Sequence, residues 1–235
     1  MKIAILGYGK MGKTVERLAG ERGHTIILKT KSDSNQINLA ETDVAIEFST
    51  PDAALQNITL CLEQGIPIVS GTTGWLTHYN EIINLCVSRN GSFIYASNFS
   101  IGVNLFYNIN EYVAKLMLPW TKYNVSIEEI HHIQKKDSPS GTAISLAESI
   151  IKHSEYEGWK LDEKTENNIQ ISSKRIKDEK GIHCVSYVSD NDTISIKHIA
   201  HSRDGFGLGA ILAAEWLQNK KGVFTMKDVL KINNI

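Results

Sequence analysis

The sequence is poor in cysteine, has almost no net charge and contains no long apolar run. Its three cysteines, Cys61, Cys86 and Cys184, are scattered, without a CxxC pair or a nearby histidine at ligand spacing. This usage argues against a disulfide framework and a cysteine-based zinc site, and it is typical of a reducing compartment. The 25 basic and 26 acidic residues leave a formal net charge of -1. We therefore expect no general attraction to nucleic acid or to a membrane surface.

No apolar stretch approaches membrane-spanning length, and the apolar run that starts at Met1 is ended by Gly7. A run this short does not fit the apolar region of a signal peptide. We expect a cytoplasmic protein with neither a membrane nor a nucleic-acid partner. With 235 residues, of which 42% are apolar and 22% charged, the chain has room for one large domain or two modest ones.

Short apolar runs alternate with amphipathic stretches over the first hundred residues. The predicted strands are Lys2–Leu6, Thr25–Leu28, Asp43–Ser49, Ile66–Ser70 and Ser92–Ala96, and the predicted helices are Met11–Arg22, Ala53–Gln64 and Thr77–Ser88. Strands that alternate with helices at this spacing imply right-handed crossovers. The sequence therefore predicts the α/β class, with a Rossmann-like, doubly wound parallel sheet.

The pattern changes after about Asn104. The predicted elements there are helices at Leu105–Leu118, Thr142–His153 and Gly207–Leu217, strands at Asn124–His132, Ile169–Arg175, His183–Val188 and Thr193–Ala200, and a polar loop from Ser154 to Asn168. Period-two alternation in the later strands predicts an antiparallel or mixed sheet with one exposed face. We expect a dinucleotide-binding domain at residues 1–102 plus 205–235. An inserted α+β domain for substrate binding and oligomerisation is expected at residues 103–204.

A glycine-rich segment follows the first predicted strand. Gly7-Tyr8-Gly9-Lys10-Met11-Gly12 fits the G-x-G-x-x-G pattern at the start of a helix. In this pattern the first glycine permits a tight turn, the second lets a pyrophosphate approach the backbone, and the third lets helix and strand pack closely. The helix N-terminus supplies N–H groups for the anion. We interpret all six residues as cofactor-binding; the alternative is a glycine-rich structural turn.

The end of the second predicted strand bears on the choice of cofactor. A carboxylate at this place binds the ribose hydroxyls of NAD, but the segment reads Leu28-Lys29-Thr30-Lys31, with no acid until Asp33. Lysines suit the 2′-phosphate of NADPH and cannot accept hydrogen bonds from a diol. Lys31 is therefore a candidate cofactor contact; a solvated basic strand end is the alternative.

The densest group of chemically active side chains lies at residues 129–142. His131 and His132 end a predicted strand, and Lys135 and Lys136 follow. A lysine there can hold a carboxylate and donate a proton, and a histidine adds a second hydrogen-bonding or proton-handling group. The alternative is a solvated basic loop. Adjacent histidines also bind metals, but no suitably spaced partner is evident, with Glu128 and Glu129 assigned to the strand; we therefore expect no metal.

An anion-binding turn is predicted next. Asp137 or Ser138 is expected to cap a helix whose first turn begins at Pro139. The N–H groups of Gly141 and Thr142, with the hydroxyls of Ser140 and Thr142, would form a seat for a carboxylate. The alternative is a helix cap and nothing more.

The segment Glu129–Ala143, EIHHIQKKDSPSGTA, resembles the signature of the dihydrodipicolinate reductase family. Other similar segments lie at Gly7–Gly12, Phe48–Ser49, Gly71–Gly74 and Ser97–Asn104, so the resemblance covers most of the chain in consistent order. The sequence departs from the family at Ile133-Gln134, where many relatives carry Arg-His. It also lacks the acidic residue often found after the second strand, with Lys31 in or near that place.

The resemblance implies a role for each matching residue. His131 would be the catalytic histidine and Lys135 the proton donor, and His132, Lys135, Ser140, Gly141 and Thr142 would hold the substrate carboxylates. The residues implied to lie beside the cofactor are Phe48, Gly71, Thr72, Thr73, Ala96, Ser97, Asn98 and Phe99.

The resemblance also implies the reaction and the assembly. A homotetramer would use NADPH and/or NADH to reduce 4-hydroxy-tetrahydrodipicolinate, a cyclic dicarboxylate, after its dehydration, in the diaminopimelate route of lysine biosynthesis. A related aspartate- or homoserine-type dehydrogenase is one rival hypothesis, but it leaves the segment around His131 without an explanation. A non-catalytic NAD(P)H-sensing module is the other, and it would not need Lys135 or an anion seat.

Overall fold

The computed structural model describes residues 1–31 and 37–232, so Asp33 lies outside the described residues. The chain divides into two compact units, one made of Met1–Ile101 and the described residues from Asp204 onward, the other of Gly102–Arg203. Among the described residues, none of the helices has both the length and the apolar character needed to cross a membrane.

A six-stranded parallel sheet forms the centre of the first unit. Its strands are β1 (Lys2–Leu6), β2 (Thr25–Thr30), β3 (Val44–Glu47), β4 (Ile68–Ser70), β5 (Ser92–Tyr95) and β11 (Gly222–Phe224), in the order β11-β5-β4-β3-β1-β2. β2 lies on one side of β1 and β3 on the other, so the direction of winding reverses beside β1. The predicted doubly wound parallel sheet is therefore confirmed.

Helices cover both faces of this sheet. They are α1 (Lys10–Glu21), α2 (Pro51–Glu63), α3 (Tyr79–Ser88), α6 (Asp204–Leu217) and the short α7 (Met226–Leu230). Successive β1 side chains enter different cores: Ile3 and Ile5 pack with residues of α1 and α6, whereas Ala4 and Leu6 pack with residues of α2 and α3. Burial on both faces explains why these strands read as continuous apolar runs.

The glycine- and alanine-rich helix α6 packs closely against its neighbours in the first unit. A Cβ on Gly209 would lie 1.7 Å from the carbonyl oxygen of Phe99, and one on Gly207 would lie 2.9 Å from Thr14. Glycine is needed here because any side chain would push the helix away from its neighbours.

The second unit is a mixed sheet with two helices. The strands are β6 (Asn124–His131), β7 (Gly158–Leu161), β8 (Asn168–Arg175), β9 (Ile182–Val188) and β10 (Thr193–Ile199), in the order β10-β9-β6-β8-β7, and the helices are α4 (Ile101–Met117) and α5 (Gly141–Ile151). β6 pairs in parallel with β8 and antiparallel with β9. Its alternate residues from Val125 onward are buried with α5 residues such as Leu146.

Three features differ from the sequence-based expectations. The segment predicted as a loop from Ser154 to Asn168 contains β7, which is four residues long and pairs with β8. α5 begins at Gly141 with Ser140 as its N-cap, so Pro139 lies before the helix and neither Asp137 nor Ser138 is the cap. The short elements β11 and α7 lie in a stretch for which no element was predicted.

Candidate active site

The glycine loop of the first unit has the geometry that a dinucleotide requires. Gly7 adopts a positive φ of 100°, and a Cβ there would lie 2.1 Å from the carbonyl oxygen of Phe48. A Cβ on Gly12 would lie 2.4 Å from the oxygen of Gly7, whereas one on Gly9 would meet no atom within 4 Å. Gly7 and Gly12 therefore serve the turn and the packing, and the backbone at Gly9, the N-cap of α1, is open to an incoming phosphate.

The other predicted cofactor residues lie at the same edge of the parallel sheet. Phe48 follows β3, Gly71 follows β4 and Ala96 follows β5. These loops meet: a Cβ on Gly71 would lie 2.1 Å from the Phe48 ring, and the rings of Phe48 and Phe99 are 6.0 Å apart, edge to face. This carboxyl edge is where open α/β sheets bind their ligands.

Not all of these side chains are available to a cofactor. Thr73 and Ser97 are exposed, but Phe99 is 1% exposed and belongs to the core. The Thr72 hydroxyl donates to the buried carboxylate of Glu47 at 2.8 Å and accepts from the Ser49 amide. The buried side chains of Thr72 and Phe99 therefore stabilise this edge of the sheet and do not face a cofactor.

Glu47 was not predicted from the sequence. Its carboxylate is fully buried at the end of β3 and accepts hydrogen bonds from Ser49, Ser70 and Thr72. These donors supply the hydrogen bonds that a buried polar group requires. The signal available in the sequence was an acid inside an otherwise apolar strand, with serine and threonine at the ends of β3 and β4.

The basic end of β2 is less free than the sequence suggests. Lys29 donates to the Glu16 carboxylate at 2.9 Å, and its ammonium lies 5.0 Å from the centre of the Tyr8 ring. The Tyr8 hydroxyl also donates to Glu16. These two hydrogen bonds hold the pKa of Glu16 below its usual value, so the pair is ionised. Lys31 is exposed.

The predicted catalytic segment lies at the carboxyl end of β6 in the second unit. Glu129 and His131 are two residues apart in this strand, so both face the buried side. His131 is 7% exposed, and its Nδ1 lies 3.5 Å from the Glu129 carboxylate. Burial lowers the pKa of His131 and the nearby Glu129 raises it, with a net decrease, so the imidazole is neutral near neutral pH.

Lys135 has a defined partner in the following turn. Its ammonium donates to the Asp137 carboxylate at 2.8 Å, and its backbone N–H donates to the carbonyl of His132. Burial raises the pKa of Asp137, but the hydrogen bond from Lys135 and the positive charge of its ammonium, with smaller contributions, together hold the net pKa below its usual value. The turn therefore holds a half-buried lysine beside a carboxylate anion.

The predicted anion seat lies at the start of α5. The first N–H groups of a helix have no acceptor within it, and a Cβ on Gly141 would meet no atom within 4 Å, so this end is open. The Thr142 hydroxyl hydrogen-bonds to Tyr107. Ser140 is only 2% exposed, and its hydroxyl accepts from the Ala143 amide and contacts His183 Nε2 at 3.1 Å. Its side chain is thus engaged in capping the helix.

Residues far along the sequence complete the cluster. The Arg175 guanidinium donates to the carbonyl of Asp137 at 2.6 Å and to the Ser173 hydroxyl at 2.8 Å, and so links β8 to the turn that contains Lys135. The ring of His183, on β9, lies 4.9 Å from that of His131. Sequence reasoning missed both residues, and the polar side chain of His183 on the apolar face of β9 was the available signal.

Three ligand atoms of Glu129, His131 and His183 lie within 4.8 Å of one another. The expectation that the histidines lack a suitably spaced partner was wrong, because strand alternation brings Glu129 beside His131. The carboxylate of this cluster nevertheless already has other partners. Glu129 accepts from the Ser140 amide and from the Ser173 hydroxyl, and the cationic Arg175 lies 3.4 Å away. We assign no metal to this cluster.

Comparison with known proteins identifies the family. The model "Dihydrodipicolinate reductase, N-terminus" matches residues 1–99, and "Dihydrodipicolinate reductase, C-terminus" matches residues 102–230. The chain belongs to the dihydrodipicolinate reductase family. It is therefore an oxidoreductase of the lysine and diaminopimelate pathway with a Rossmann-type NAD(P)-binding fold, as the sequence predicted.

Similar proteins span the full length of this reductase. A 4-hydroxy-tetrahydrodipicolinate reductase of Christiangramia forsetii is 52% identical over 98% of both chains. One of Archaeoglobus fulgidus is 33% identical, covering 98% of this chain and 100% of the relative. Among solved structures, a dipicolinate-bound dihydrodipicolinate reductase from a Paenisporosarcina species superposes with a TM-score of 0.78 at 21% identity, over 96% of this chain and 97% of the other. Membership of this family excludes the non-catalytic sensing module.

Proposed function

We propose that the chain reduces 4-hydroxy-tetrahydrodipicolinate, after loss of water, to tetrahydrodipicolinate with NADPH or NADH. The main support for this proposal is the position of His131, His132 and Lys135 between the end of β6 and the open N-terminus of α5. We call this segment the catalytic turn. A cyclic dicarboxylate needs an anion seat and a proton donor, and the turn offers both. Two relatives that match nearly the whole chain, those of Christiangramia forsetii and Archaeoglobus fulgidus, carry the name of this reductase.

The seat binds one substrate carboxylate through the first N–H groups of α5. Gly141 leaves space for it, and the Thr142 hydroxyl lies beside it. His132 and Lys135 hold the charge of the substrate from the preceding loop. Ser140 contributes by fixing the start of the helix rather than through a free hydroxyl.

Lys135 is the proton donor in this proposal. When bound, the reduced cofactor supplies a hydride to a conjugated ring carbon, and negative charge then moves towards the ring nitrogen and the carbon next to it. The ammonium of Lys135 gives up a proton to neutralise that charge, and Asp137 keeps it in place before the transfer. His131, being neutral, takes part as a hydrogen-bonding group.

The glycine loop Gly7–Gly12 and the loops after β3, β4 and β5 form the cofactor site in this proposal. Gly9 admits the pyrophosphate, while Phe48, Gly71, Thr73, Ala96, Ser97 and Asn98 line the nicotinamide side. The residues present fit such a group, because the backbone at Gly9 is open and the start of α1 faces it.

A steady-state assay tests the function. We expect NADPH absorbance to fall only when freshly generated 4-hydroxy-tetrahydrodipicolinate is added. Aspartate and homoserine are oxidised by their dehydrogenases, so a rise of NADPH absorbance when either amino acid is supplied with NADP⁺ would support the rival dehydrogenases. Cofactor binding without turnover on any of the three would refute the proposed reaction.

We further propose that the protein acts in the cytoplasm as a homotetramer. β10 lies at one end of the strand order of its sheet. Its Ile199 is 43% exposed beside Ile182 of β9, so an apolar surface is available for a second subunit. Light scattering tests the assembly. We expect the parent to have four times the chain mass and Ile199→Asp to give smaller species; a monomeric parent would refute the proposal.

A further inference from the structure

Glu129 is a buried acid for which the proposed reaction so far has no use. Its side chain is 0% exposed, and it takes a place on the apolar face of β6 two residues before His131. A buried carboxylate is costly unless several donors satisfy it. The residues that donate hydrogen bonds to Glu129 should therefore indicate which part of the site it stabilises.

Those partners come from two other segments around the site. The carboxylate accepts from the Ser140 amide at 3.0 and 3.1 Å, from the Ser173 hydroxyl at 2.6 Å and from Arg175 at 3.4 Å. Burial raises the pKa of Glu129, but the hydrogen bonds from Ser140 and Ser173 outweigh it and the net pKa is lowered. An anion thus joins β6 and β8 to the first residue of the anion seat.

The same carboxylate faces the imidazole of His131. The separation of 3.5 Å from Nδ1 becomes a hydrogen bond after a small rotation of the ring, and Nδ1 has no other hydrogen-bond partner among the described residues. A Cβ on Gly181 would lie 3.3 Å from Nε2, so the ring is confined on both sides. A carboxylate beside Nδ1 favours the tautomer with its proton on Nδ1 and leaves the Nε2 lone pair as an acceptor.

We propose that Glu129 is a positioning residue for the reduction, which holds His131 in the Nδ1–H tautomer and fixes the anion seat through the Ser140 amide. This inference rests on the proposed function of the same site. It assigns Glu129 no contact with the substrate. Its effect passes through the orientation of His131 and of the turn that begins α5.

The test combines kinetics with nitrogen NMR of the histidine rings. Glu129→Gln keeps the size of the side chain but removes its charge and turns an N–H₂ group towards the donors. We expect kcat to fall about ten- to a hundredfold, with the NADPH dissociation constant, measured by fluorescence, within about twofold of the parent. In the parent, His131 should give the Nδ1–H pattern, and in the variant this pattern should be lost.

Glu128→Gln is the matched control. Glu128 is the adjacent residue of β6 on the opposite face, where it pairs with Lys174 at the surface, and such pairs contribute little. We expect this variant to keep the parent kcat within about twofold and the parent His131 spectrum. Size-exclusion chromatography should show the same assembly for all three proteins.

The outcomes separate this inference from the proposed function. A parent that turns over, with Glu129→Gln within about twofold of it in kcat, would overturn the role of Glu129 and leave the function standing. A parent without substrate-dependent turnover would refute the function, and the His131 spectra would still report on Glu129. If Glu129→Gln does not fold, the parent spectrum decides: an Nε2–H tautomer of His131 overturns the inference, and the Nδ1–H tautomer supports it.

Discussion

Lys29 donates a hydrogen bond of 2.9 Å to the carboxylate of Glu16. The basic end of β2 is therefore partly neutralised by an acid from α1. The second basic residue there, Lys31, is exposed. This pairing changes the expected cofactor preference, because a lysine shared with a carboxylate holds a 2′-phosphate less strongly than a free one.

We predict that Glu16→Gln increases the preference for NADPH over NADH by about two- to fivefold, the effect of one exposed charge pair. The gain should shrink as salt rises, because exposed charges are screened. Specificity constants for both cofactors at low and high ionic strength measure it. Glu21→Gln, an exposed pair partner of Arg17 in the same helix, is the control and should leave the ratio unchanged. An unchanged ratio in Glu16→Gln as well would show that Lys29 lies away from the phosphate.

Lys135→Ala should lose catalysis far more than cofactor binding. Loss of a general acid costs roughly a hundred- to ten-thousand-fold in rate, whereas the NADPH dissociation constant should stay within about twofold of the parent. Steady-state kinetics and fluorescence titration give the two numbers. The neighbouring Lys136 is exposed, and Lys136→Ala should keep the parent rate within about twofold. A Lys135→Ala enzyme within about threefold of the parent would remove the lysine from the mechanism.

Gly141→Ala tests the anion seat without disturbing the fold. A Cβ at this position meets no atom within 4 Å, and alanine is favoured over glycine in a helix by roughly 0.5–1 kcal/mol. The new methyl group would occupy space that the substrate carboxylate needs. We therefore expect a KM for the substrate raised by about tenfold, the equivalent of about 1.4 kcal/mol, with no loss of stability. Pyridine-2,6-dicarboxylate should compete with the substrate in the parent and bind more weakly to the variant.

Gly20→Ala is the matched control for that variant. It also lies in a helix, and a Cβ there meets no atom within 4 Å. The substitution should raise the stability slightly and leave KM unchanged. Equal KM values for the parent and Gly141→Ala would place the carboxylate elsewhere.

The free energy of unfolding should fall as the pH is lowered, because of His183. Burial, with a smaller contribution from His131, lowers the pKa of His183 from 6.5 to about 3. Between those values the unfolded chain binds a proton that the folded protein does not, so stability is present above pH 6.5 and is lost towards pH 3. From pH 7 to pH 5 this group alone accounts for about 2 kcal/mol.

Denaturant titrations at several pH values measure this effect. His183→Asn should flatten the slope over that interval, whatever its own stability at pH 7. The groups that face His183 are Glu129, His131, Lys135 and His198, and they remain in the variant. Equal slopes for the two proteins would mean that His183 is protonated in the folded state.

Local patterns were enough to predict most of the first unit, although not β11 and α7. The tight turn at Gly7, the open backbone at Gly9 and the close packing at Gly12 follow from one glycine pattern between a strand and a helix, and the structure confirms each of them. Continuous apolar strands and alternating helices have one arrangement that buries both faces. The Glu16–Lys29 pair was not evident, because helix and strand approach each other only in the folded unit.

The candidate site was predicted only in part, because some of the residues that contact it are distant in sequence. The turn around Lys135 could be read from adjacent residues, but Arg175 and His183 reach it through the pairing of β6 with β8 and β9, a register that no local pattern specifies. Glu129 was visible as an acid on the apolar face of a strand and was assigned to the strand alone. The short strand β7, GWKL, was read as a loop because it lies within a polar stretch.

Because α6 returns to the first sheet, the core of the first unit can be completed only late in the synthesis of the chain. Ala210, Ile211 and Leu217 belong to the same core as Ile3 and Ile5, yet they are synthesised after the whole of Gly102–Arg203. The second unit has all its strands and helices as soon as Ile199 has emerged. The first unit lacks α6 throughout that time, so Ile3 and Ile5 can pack with residues of α1 but not with those of α6 until α6 leaves the exit tunnel.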